Sequence, residues 1–248
     1  MIKLLIILLF LLTGCHTATT PSPTITIIPT IYKIALDSGH SEEVPGAINL
    51  VKEHIINRQT TEILHNLLQY NPNFDVFLTT NYINAKETED RRSYAENKNA
   101  DFLISIHANA HETDLTIEGY ELYTQLETNK YHNESLKMAK ILQTNLNNAN
   151  HKPSKNTGIF NALFEKINDD LYIRHLFPIE DRHLYDFNEE ITFGLLSSNK
   201  IPSILIEIGY VHSQNDVDNW MTLEGCKKAA HIYYESICEY YNIEPVYE

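Results

Sequence analysis

Short apolar runs alternate with longer amphipathic stretches along most of the chain. Residues 102–106 form an almost unbroken apolar run, and similar runs lie at 32–37, 74–80 and 204–209. Runs of this length, rich in β-branched and aromatic residues, are typical of strands buried on both faces of a sheet. The stretch 52–70 differs, because its large apolar residues recur close to a helical period, at Ile55, Ile56, Ile63, Leu64, Leu67 and Leu68. That spacing predicts an amphipathic helix.

The same alternation continues to the end of the chain. Helices are predicted over 88–99, 134–149 and 223–241, and a further strand over 119–124. Strands that alternate with helices favour a largely parallel, twisted sheet with helices on both faces. The sequence therefore predicts the α/β fold class, with residues 31–248 forming one domain.

Side chains that bind metals stand at the ends of these apolar runs. His107 directly follows the run 102–106, and His40 lies three residues after the first run. Glu207 interrupts the last run, where an ionised carboxylate is costly unless a metal or a partner compensates it. Glu53 falls in the first turn of the predicted helix 52–70. In an open α/β sheet, ligands gather outside the carboxyl ends of the strands, so these four side chains are expected to meet.

The combination matters more than any one residue, because a single histidine at a strand end is more often a core or capping residue. Two imidazoles and a carboxylate, with a second carboxylate left over, suit a catalytic zinc site that keeps one open position and a general base. The sequence therefore predicts a zinc site at the carboxyl ends of the strands.

Five segments in order carry a more specific pattern around these residues: 37–40, 52–57, 91–109, 119–123 and 201–216. Together they resemble the motifs of the zinc-dependent N-acetylmuramoyl-L-alanine amidases, which hydrolyse bacterial peptidoglycan. The resemblance extends over roughly residues 32–242. It is specific, because several motifs occur in the family's order.

The resemblance implies a role for each of the four residues. His40, Glu53 and His107 would bind Zn²⁺, and Glu207 would act as the catalytic acid and base. The substrate would be the amide bond between the lactyl group of N-acetylmuramic acid and the L-alanine of a peptidoglycan stem peptide, cleaved in cell-wall remodelling. Ser38 departs from the proline that the family usually has there, which affects the shape of the loop and not the ligand set.

Three further polar residues could orient the ligand imidazoles from behind, namely Asp37, Asn109 and Glu121. The alternative is that they are simply polar residues that end strands. Arg91 and Arg92 also have two interpretations, as ligands for a stem-peptide carboxylate or as partners in salt bridges on a helix surface.

The amino terminus resembles a bacterial lipoprotein signal peptide over residues 1–14. The segment Leu12-Thr-Gly-Cys15 has the form of the lipoprotein cleavage site, so Cys15 is expected to carry the lipid. An ordinary secretory signal is the alternative. Residues 15–30 are rich in threonine and proline and are expected to form a flexible tether. The protein is therefore expected in the cell envelope, outside the cytoplasm and anchored to a bacterial membrane.

Charge and cysteine content narrow the possible partners. The formal net charge of -14 argues against a nucleic-acid partner and against electrostatic docking onto an anionic wall. Cys226 and Cys238 are twelve positions apart on a predicted helix, about 18 Å at 1.5 Å per residue, so a disulfide between them is not expected.

Residues 157–190 break the alternation of strands and helices and carry many charged and aromatic side chains. We interpret them as an insertion. It could form a wall or gate of the peptidoglycan groove on which a protein activator acts, or it could be a passive surface excursion. Two other functions also stay open: another zinc peptidase of the cell wall, and a non-catalytic wall-binding scaffold. The presence of all four predicted site residues favours an enzyme.

Overall fold

The computed structural model describes residues 30–168, 171–184 and 191–248. The predicted signal peptide, Cys15 and almost all of the tether lie outside these residues. Within them the chain forms seven strands, β1 to β7, and five helices, α1 to α5. The strands are Tyr32–Ser38, Phe74–Leu78, Phe102–Asn109, Glu121–Thr124, Ile159–Asn168, Leu171–Pro178 and Ser203–Tyr210, and the helices are Glu53–Tyr70, Thr88–Asn97, His132–Asn148, Gln214–Asp216 and Leu223–Tyr241.

The strands form one mixed sheet in the order β2-β1-β3-β7-β4-β5-β6. β2, β1, β3 and β7 run parallel to one another. β4 runs antiparallel to β7, β5 is parallel to β4, and β6 is antiparallel to β5. The predicted α/β fold with a largely parallel sheet is therefore confirmed.

The hairpin of β5 and β6 lies in residues 157–190, the predicted insertion, where the sequence pattern predicts no strand. Its inner part is buried, whereas residues 165–168 are exposed. Strands that project beyond the helices have no apolar face to bury, so polar residues interrupt the alternation that would reveal them.

The two faces of the sheet have different covers. One face carries Ile34, Ile104 and Ile206 and packs against α1, α3 and α5 in the largest apolar cluster. The other face carries Ala35 and Leu103 and packs against α2 and the short segment after the insertion. Because the central strands are buried on both sides, they read as continuous apolar runs. The strand register places the side chains of His107 and Glu207 on the second face, which is covered by fewer elements.

Cys226 and Cys238 are both buried in α5 and form no disulfide with each other. Among the helices in the described residues, none is long and apolar enough to cross a membrane.

Asp216 closes the carboxyl end of the sheet on the side of β4. Its buried carboxylate accepts hydrogen bonds from the backbone N–H of Gly119 at 2.9 Å and of Tyr210 at 2.8 Å. One side chain thus joins the start of β4 to the end of β7, which explains an aspartate so soon after the last strand.

His151 is a buried neutral histidine beside this junction. Its ring stacks on Trp220 with centroids 4.0 Å apart, and its Nε2–H donates to the carbonyl of Ile208. Burial lowers the pKa of His151 to about 4, although the hydrogen bond to the carbonyl opposes that shift. Folding therefore requires the imidazole to stay neutral.

This pKa predicts an acid-sensitive contribution to stability. Below about pH 6.5 the unfolded chain binds a proton that the folded chain does not bind until about pH 4, so stability falls across that window. We expect the free energy of unfolding of wild type to fall relative to that of His151→Gln by about 3 kcal/mol between these pH values, measured by denaturant unfolding. His231→Gln changes an exposed histidine, so its free energy of unfolding should vary with pH in the same way as that of wild type. If the free energy of unfolding of His151→Gln also varied with pH as wild type does, the lowered pKa of His151 would be contradicted.

Candidate metal centre

Three elements bring His40, Glu53 and His107 together at the carboxyl edge of the sheet. His40 follows β1 and adopts a left-handed backbone conformation with φ 65°. His107 lies near the end of the adjacent strand β3, and Glu53 is the first residue of α1. One potential ligand atom from each residue lies within 4.8 Å of the others. The convergence predicted from the sequence is therefore present in the fold.

The Glu53 carboxylate lies between the two imidazoles. Its Oε2 is 3.3 Å from His40 Nε2, and its Oε1 is 3.0 Å from His107 Nδ1. The two rings are 5.2 Å apart and nearly perpendicular, at 80°. Burial alone would raise the pKa of Glu53, but the hydrogen bonds and charges of His107 and His40 outweigh burial and hold that pKa well below its ordinary value. The carboxylate is thus ionised and ready to bind a cation.

Backbone and amide groups fix the position of this carboxylate. Its Oε2 accepts the N–H of Ala47 at 2.9 Å. The side-chain amide of Asn57, one turn further along α1, donates to Glu53 Oε1 at 3.3 Å and to the carbonyl of Gly39 at 2.9 Å. Asn57 thereby ties the helix to the loop that carries His40. The sequence interpretation missed Asn57, although a polar residue four positions after Glu53 on one helical face is a usable signal.

Two glycines allow the loops to approach the ligands. A Cβ on Gly39 would overlap the ring of His107, and a Cβ on Gly46 would fall 2.6 Å from His40 Cδ2 and against the Glu53 carboxylate. Gly46 also has φ +67°, which other residues rarely adopt. Two imidazoles and a carboxylate on converging backbone are the donor set of hydrolytic zinc sites, so the residues present fit zinc.

Glu207 faces this cluster from β7, where it is the register partner of His107. Only 9% of the residue is exposed, and its Oε2 has no hydrogen-bond partner among the described residues. Burial raises the pKa of Glu207 well above its ordinary value, and the charges of Glu53 and Glu121 raise it further, whereas Arg174 opposes the shift. A buried, unpartnered carboxyl beside a candidate metal site is poised for proton transfer.

Glu121 pairs with Glu207 from the other side, across β4 and β7. Its fully buried carboxylate accepts hydrogen bonds from Asn109 at 2.9 Å, Tyr210 at 2.8 Å and Tyr123 at 2.5 Å, and from the Ser154 hydroxyl. In the described part of the chain, none of these bonds reaches an imidazole. Asn109 and Glu121 therefore stabilise each other and the strand that carries Glu207.

Asp37 likewise contacts neighbours other than the imidazoles. Its buried carboxylate accepts hydrogen bonds from Arg91 at 2.7 Å, from Ser105 at 2.8 Å and from the Thr79 hydroxyl. These partners lie on α2, on β3 and just after β2. Asp37 therefore ties three elements together directly below the loop of His40.

The two arginines of α2 have their own partners. Arg91 is 8% exposed and is committed to Asp37, whereas Arg92 donates to the carbonyl of Gly194 at 2.6 Å and lies 3.7 Å from Glu96. Of the two roles left open by the sequence, these contacts favour structural pairing. A cavity of about 370 Å³ opens beside them, lined by the four predicted site residues together with Arg174 and Phe193.

The buried pair of Asp37 and Arg91 predicts a large loss of stability when it is broken. In Arg91→Met the Asp37 carboxylate stays buried with hydroxyl donors only, so we expect the free energy of unfolding to fall by about 3 kcal/mol or more. Denaturant unfolding measures the change. Arg58→Met removes a more exposed arginine with ion pairs to Glu42 and Glu62 and should cost under about 1 kcal/mol. Similar losses in both variants would contradict the assignment.

Known proteins match both the sequence and the fold. A family model described as N-acetylmuramoyl-L-alanine amidase matches residues 34–239. Relatives with the printed description "Putative N-acetylmuramoyl-L-alanine amidase" occur in Buchnera aphidicola. The protein of subspecies Baizongia pistaciae is 30% identical over 184 residues, covering 72% of this chain and 82% of the relative. The protein of subspecies Schizaphis graminum is 27% identical over 226 residues, covering 83% and 95%.

Solved structures agree with this fold. The catalytic domain of CwlV, an N-acetylmuramoyl-L-alanine amidase from Bacillus (Paenibacillus) polymyxa, has a TM-score of 0.64 at 20% identity, covering 86% of this chain and all of that chain. The CwlD amidase from Clostridioides difficile, solved in complex with the GerS lipoprotein, has a TM-score of 0.61 at 23% identity with the same coverage. Because the matched family segment spans most of the chain and includes all four predicted site residues, the chain belongs to the N-acetylmuramoyl-L-alanine amidase family.

Proposed function

We propose that the chain is a zinc-dependent hydrolase of peptidoglycan that acts in cell-wall remodelling. The bond cleaved is the amide between the lactyl group of N-acetylmuramic acid and the L-alanine of the stem peptide. One observation carries the proposal: Glu207, a buried carboxyl whose Oε2 has no hydrogen-bond partner in the described part of the chain, shares a cavity with a two-histidine, one-carboxylate donor set. Family membership supplies the identity of the bond.

His40, Glu53 and His107 would hold the metal. Bound zinc supplies a Lewis acid that polarises a carbonyl, lowers the pKa of water and, by its charge, favours the ionised form of a nearby carboxyl. The hydrogen bonds of Glu53 to Ala47 and Asn57 keep the donor set in place before the metal arrives. Such fixed ligands reduce the reorganisation that binding requires.

Glu207 performs the proton transfers. It takes a proton from the water that attacks the lactyl carbonyl carbon, and it delivers that proton to the amide nitrogen as the carbon–nitrogen bond breaks. The products are the lactyl carboxylic acid and a stem peptide with a free L-alanine amine. Amines are poor leaving groups unless protonated, so one carboxyl serves as base and then as acid. Its raised pKa in the apolar surroundings suits the second role.

The two other functions left open by the sequence are less well supported. Another zinc peptidase of the wall would use the same donor set, but the family match favours the muramoyl amide over a peptide bond. A non-catalytic scaffold has no need for four functional side chains that converge on one cavity.

The first test compares metal binding with turnover. Purified protein from residue 29 onward is incubated with peptidoglycan, and released products are identified by mass spectrometry. We expect stem peptides that begin at L-alanine, lost on chelation and restored by Zn²⁺. Glu207→Gln should keep its zinc and lose at least about a hundredfold in rate, because general acid–base catalysis contributes that much.

Glu224→Gln removes an exposed carboxylate from α5 and should act like wild type. Substantial activity in Glu207→Gln would refute the proton-transfer role. Release of other fragments would favour a different wall peptidase. Bound zinc without any product would point to the insertion 157–190 as an inhibitory element that a protein activator must displace, and the absence of bound metal would favour the scaffold.

We further propose that the protein acts in the cell envelope, anchored to a bacterial membrane by a lipid on Cys15. The form of the segment Leu12-Thr-Gly-Cys15 supports this location, and peptidoglycan lies outside the cytoplasm. Several acyl chains on one residue would hold the protein stably at the membrane.

If Cys15 carries the lipid, Cys15→Ser should abolish both lipid labelling and membrane anchoring. The full chain is expressed in bacteria fed radiolabelled palmitate, and membrane and soluble fractions are compared. We expect labelled wild type in the membrane and unlabelled Cys15→Ser outside it, whereas Thr17→Ser should match wild type. A labelled Cys15→Ser protein, or a soluble wild type, would contradict the anchor.

A further inference from the structure

Arg174 lies on the catalytic face of the sheet although it belongs to the insertion. In the β5–β6 hairpin it is the register partner of Phe164. Side chains alternate between faces along a strand, and register partners share a face. Following the register from β7 through β4 and β5 to β6 therefore places Arg174 on the same face as Glu207.

An aromatic cluster holds this hairpin against the cavity. Phe193 contacts Phe164 and Tyr123 edge to face, each with centroids 5.2 Å apart. The backbone N–H of Phe164 also donates to the carbonyl of Ile191 at 2.8 Å. Phe193 and Arg174 both line the cavity that contains Glu207. The hairpin is therefore a wall of the catalytic cavity.

The guanidinium of Arg174 is an uncommitted cation on this wall. In the described residues it makes no hydrogen bond and no ion pair, and the residue is exposed to solvent. Arg91, the other arginine that lines the cavity, is already paired with Asp37 at 2.7 Å. Arg174 is close enough to Glu207 to lower the pKa of that carboxyl, without a direct salt bridge between them. Its five N–H donors are therefore available to a ligand.

The strand order defines how the candidate site residues are arranged across the cavity. Metal ligands lie on or beside β1 and β3, Glu207 lies on β7, and Arg174 lies on β6, three strands further along. Neighbouring strands lie about 4.8 Å apart, so the backbones of β7 and β6 are about 14 Å apart. The long side chain of Arg174 spans part of this distance. If the scissile carbonyl faces the metal ligands and its nitrogen faces Glu207, the stem peptide continues towards Arg174. An extended peptide advances about 3.3 Å per residue, so Arg174 meets its first few residues.

We propose that Arg174 binds a carboxylate of the stem peptide and makes the β5–β6 hairpin a determinant of stem-peptide specificity. This inference rests on the proposed amidase function. The planar guanidinium matches a carboxylate with two parallel hydrogen bonds, which a lysine cannot reproduce. Arg174 is thus a specificity residue and takes no part in the proton transfers.

The test uses two soluble substrates that differ only in charge. One is N-acetylmuramoyl-L-alanyl-D-glutamate with free carboxylates, and the other is the same compound with both carboxylates converted to primary amides. We expect Arg174→Gln to lower kcat/KM about 10- to 100-fold on the charged substrate and to leave the amidated substrate within about twofold. Arg174→Lys should fall between wild type and Arg174→Gln on the charged substrate.

Lys227→Gln is the charge-matched control, because Lys227 is exposed on α5 and pairs with Glu224. Lys227→Gln should leave kcat/KM unchanged on both substrates, which excludes a general effect of net charge. Equal losses on both substrates in Arg174→Gln would overturn the inference, because Arg174 would then act through Glu207 or through the fold. Unchanged kinetics on both would overturn it as well.

Binding of the product dipeptide separates this inference from the proposed function. L-alanyl-D-glutamate and its diamide have no scissile muramoyl bond, so calorimetric titration of zinc-loaded protein works without turnover. We expect tighter binding of the charged dipeptide to wild type and loss of that preference in Arg174→Gln. If wild type cleaves neither substrate but shows this preference, the amidase proposal fails and the specificity inference stands. Absence of the preference would overturn the inference.

Discussion

The position of one carboxylate organises the catalytic edge of this protein. Glu53 lies within hydrogen-bonding reach of both imidazoles, so the ends of β1 and β3 and the start of α1 must lie within a few ångströms of one another. Ionised groups are stable in partly buried sites only when opposite charge or hydrogen bonds compensate them. The amide of Asn57 and the close approach of Gly39 and Gly46 are local solutions to that requirement. The ligand geometry is therefore built into the loops.

The opposite arrangement holds for Glu207. Among the described residues its Oε2 has no hydrogen-bond partner, and burial raises its pKa, so its charged form is disfavoured. A few ångströms away, Glu121 receives four donors and satisfies the polar groups behind it. One strand pairing thus places a saturated carboxylate beside an unsatisfied one. This difference in environment separates a structural carboxylate from a reactive one.

The sequence was sufficient for most of the elements and for the convergence of the candidate ligands, because strand ends and helix starts are local features. His107 and Glu207 follow from apolar runs that a charged or polar residue interrupts. The partners of Asp37 do not follow, because Thr79 and Arg91 are distant in sequence and meet it only through sheet order and helix packing. The β5–β6 hairpin was also missed, since an edge hairpin lacks the one-sided burial that produces a readable pattern.

The hairpin is joined to the rest of the sheet along one side only, through β4. The candidate metal ligands lie after β1, on α1 and on β3, and Glu207 lies on β7, so none of these elements pairs with the hairpin. An edge unit of this kind can be gained, lost or altered during evolution without rebuilding the catalytic core. If Arg174 selects the stem peptide as proposed, a change confined to this hairpin would adapt the enzyme to cell walls of different chemistry while the reaction at the centre stays the same.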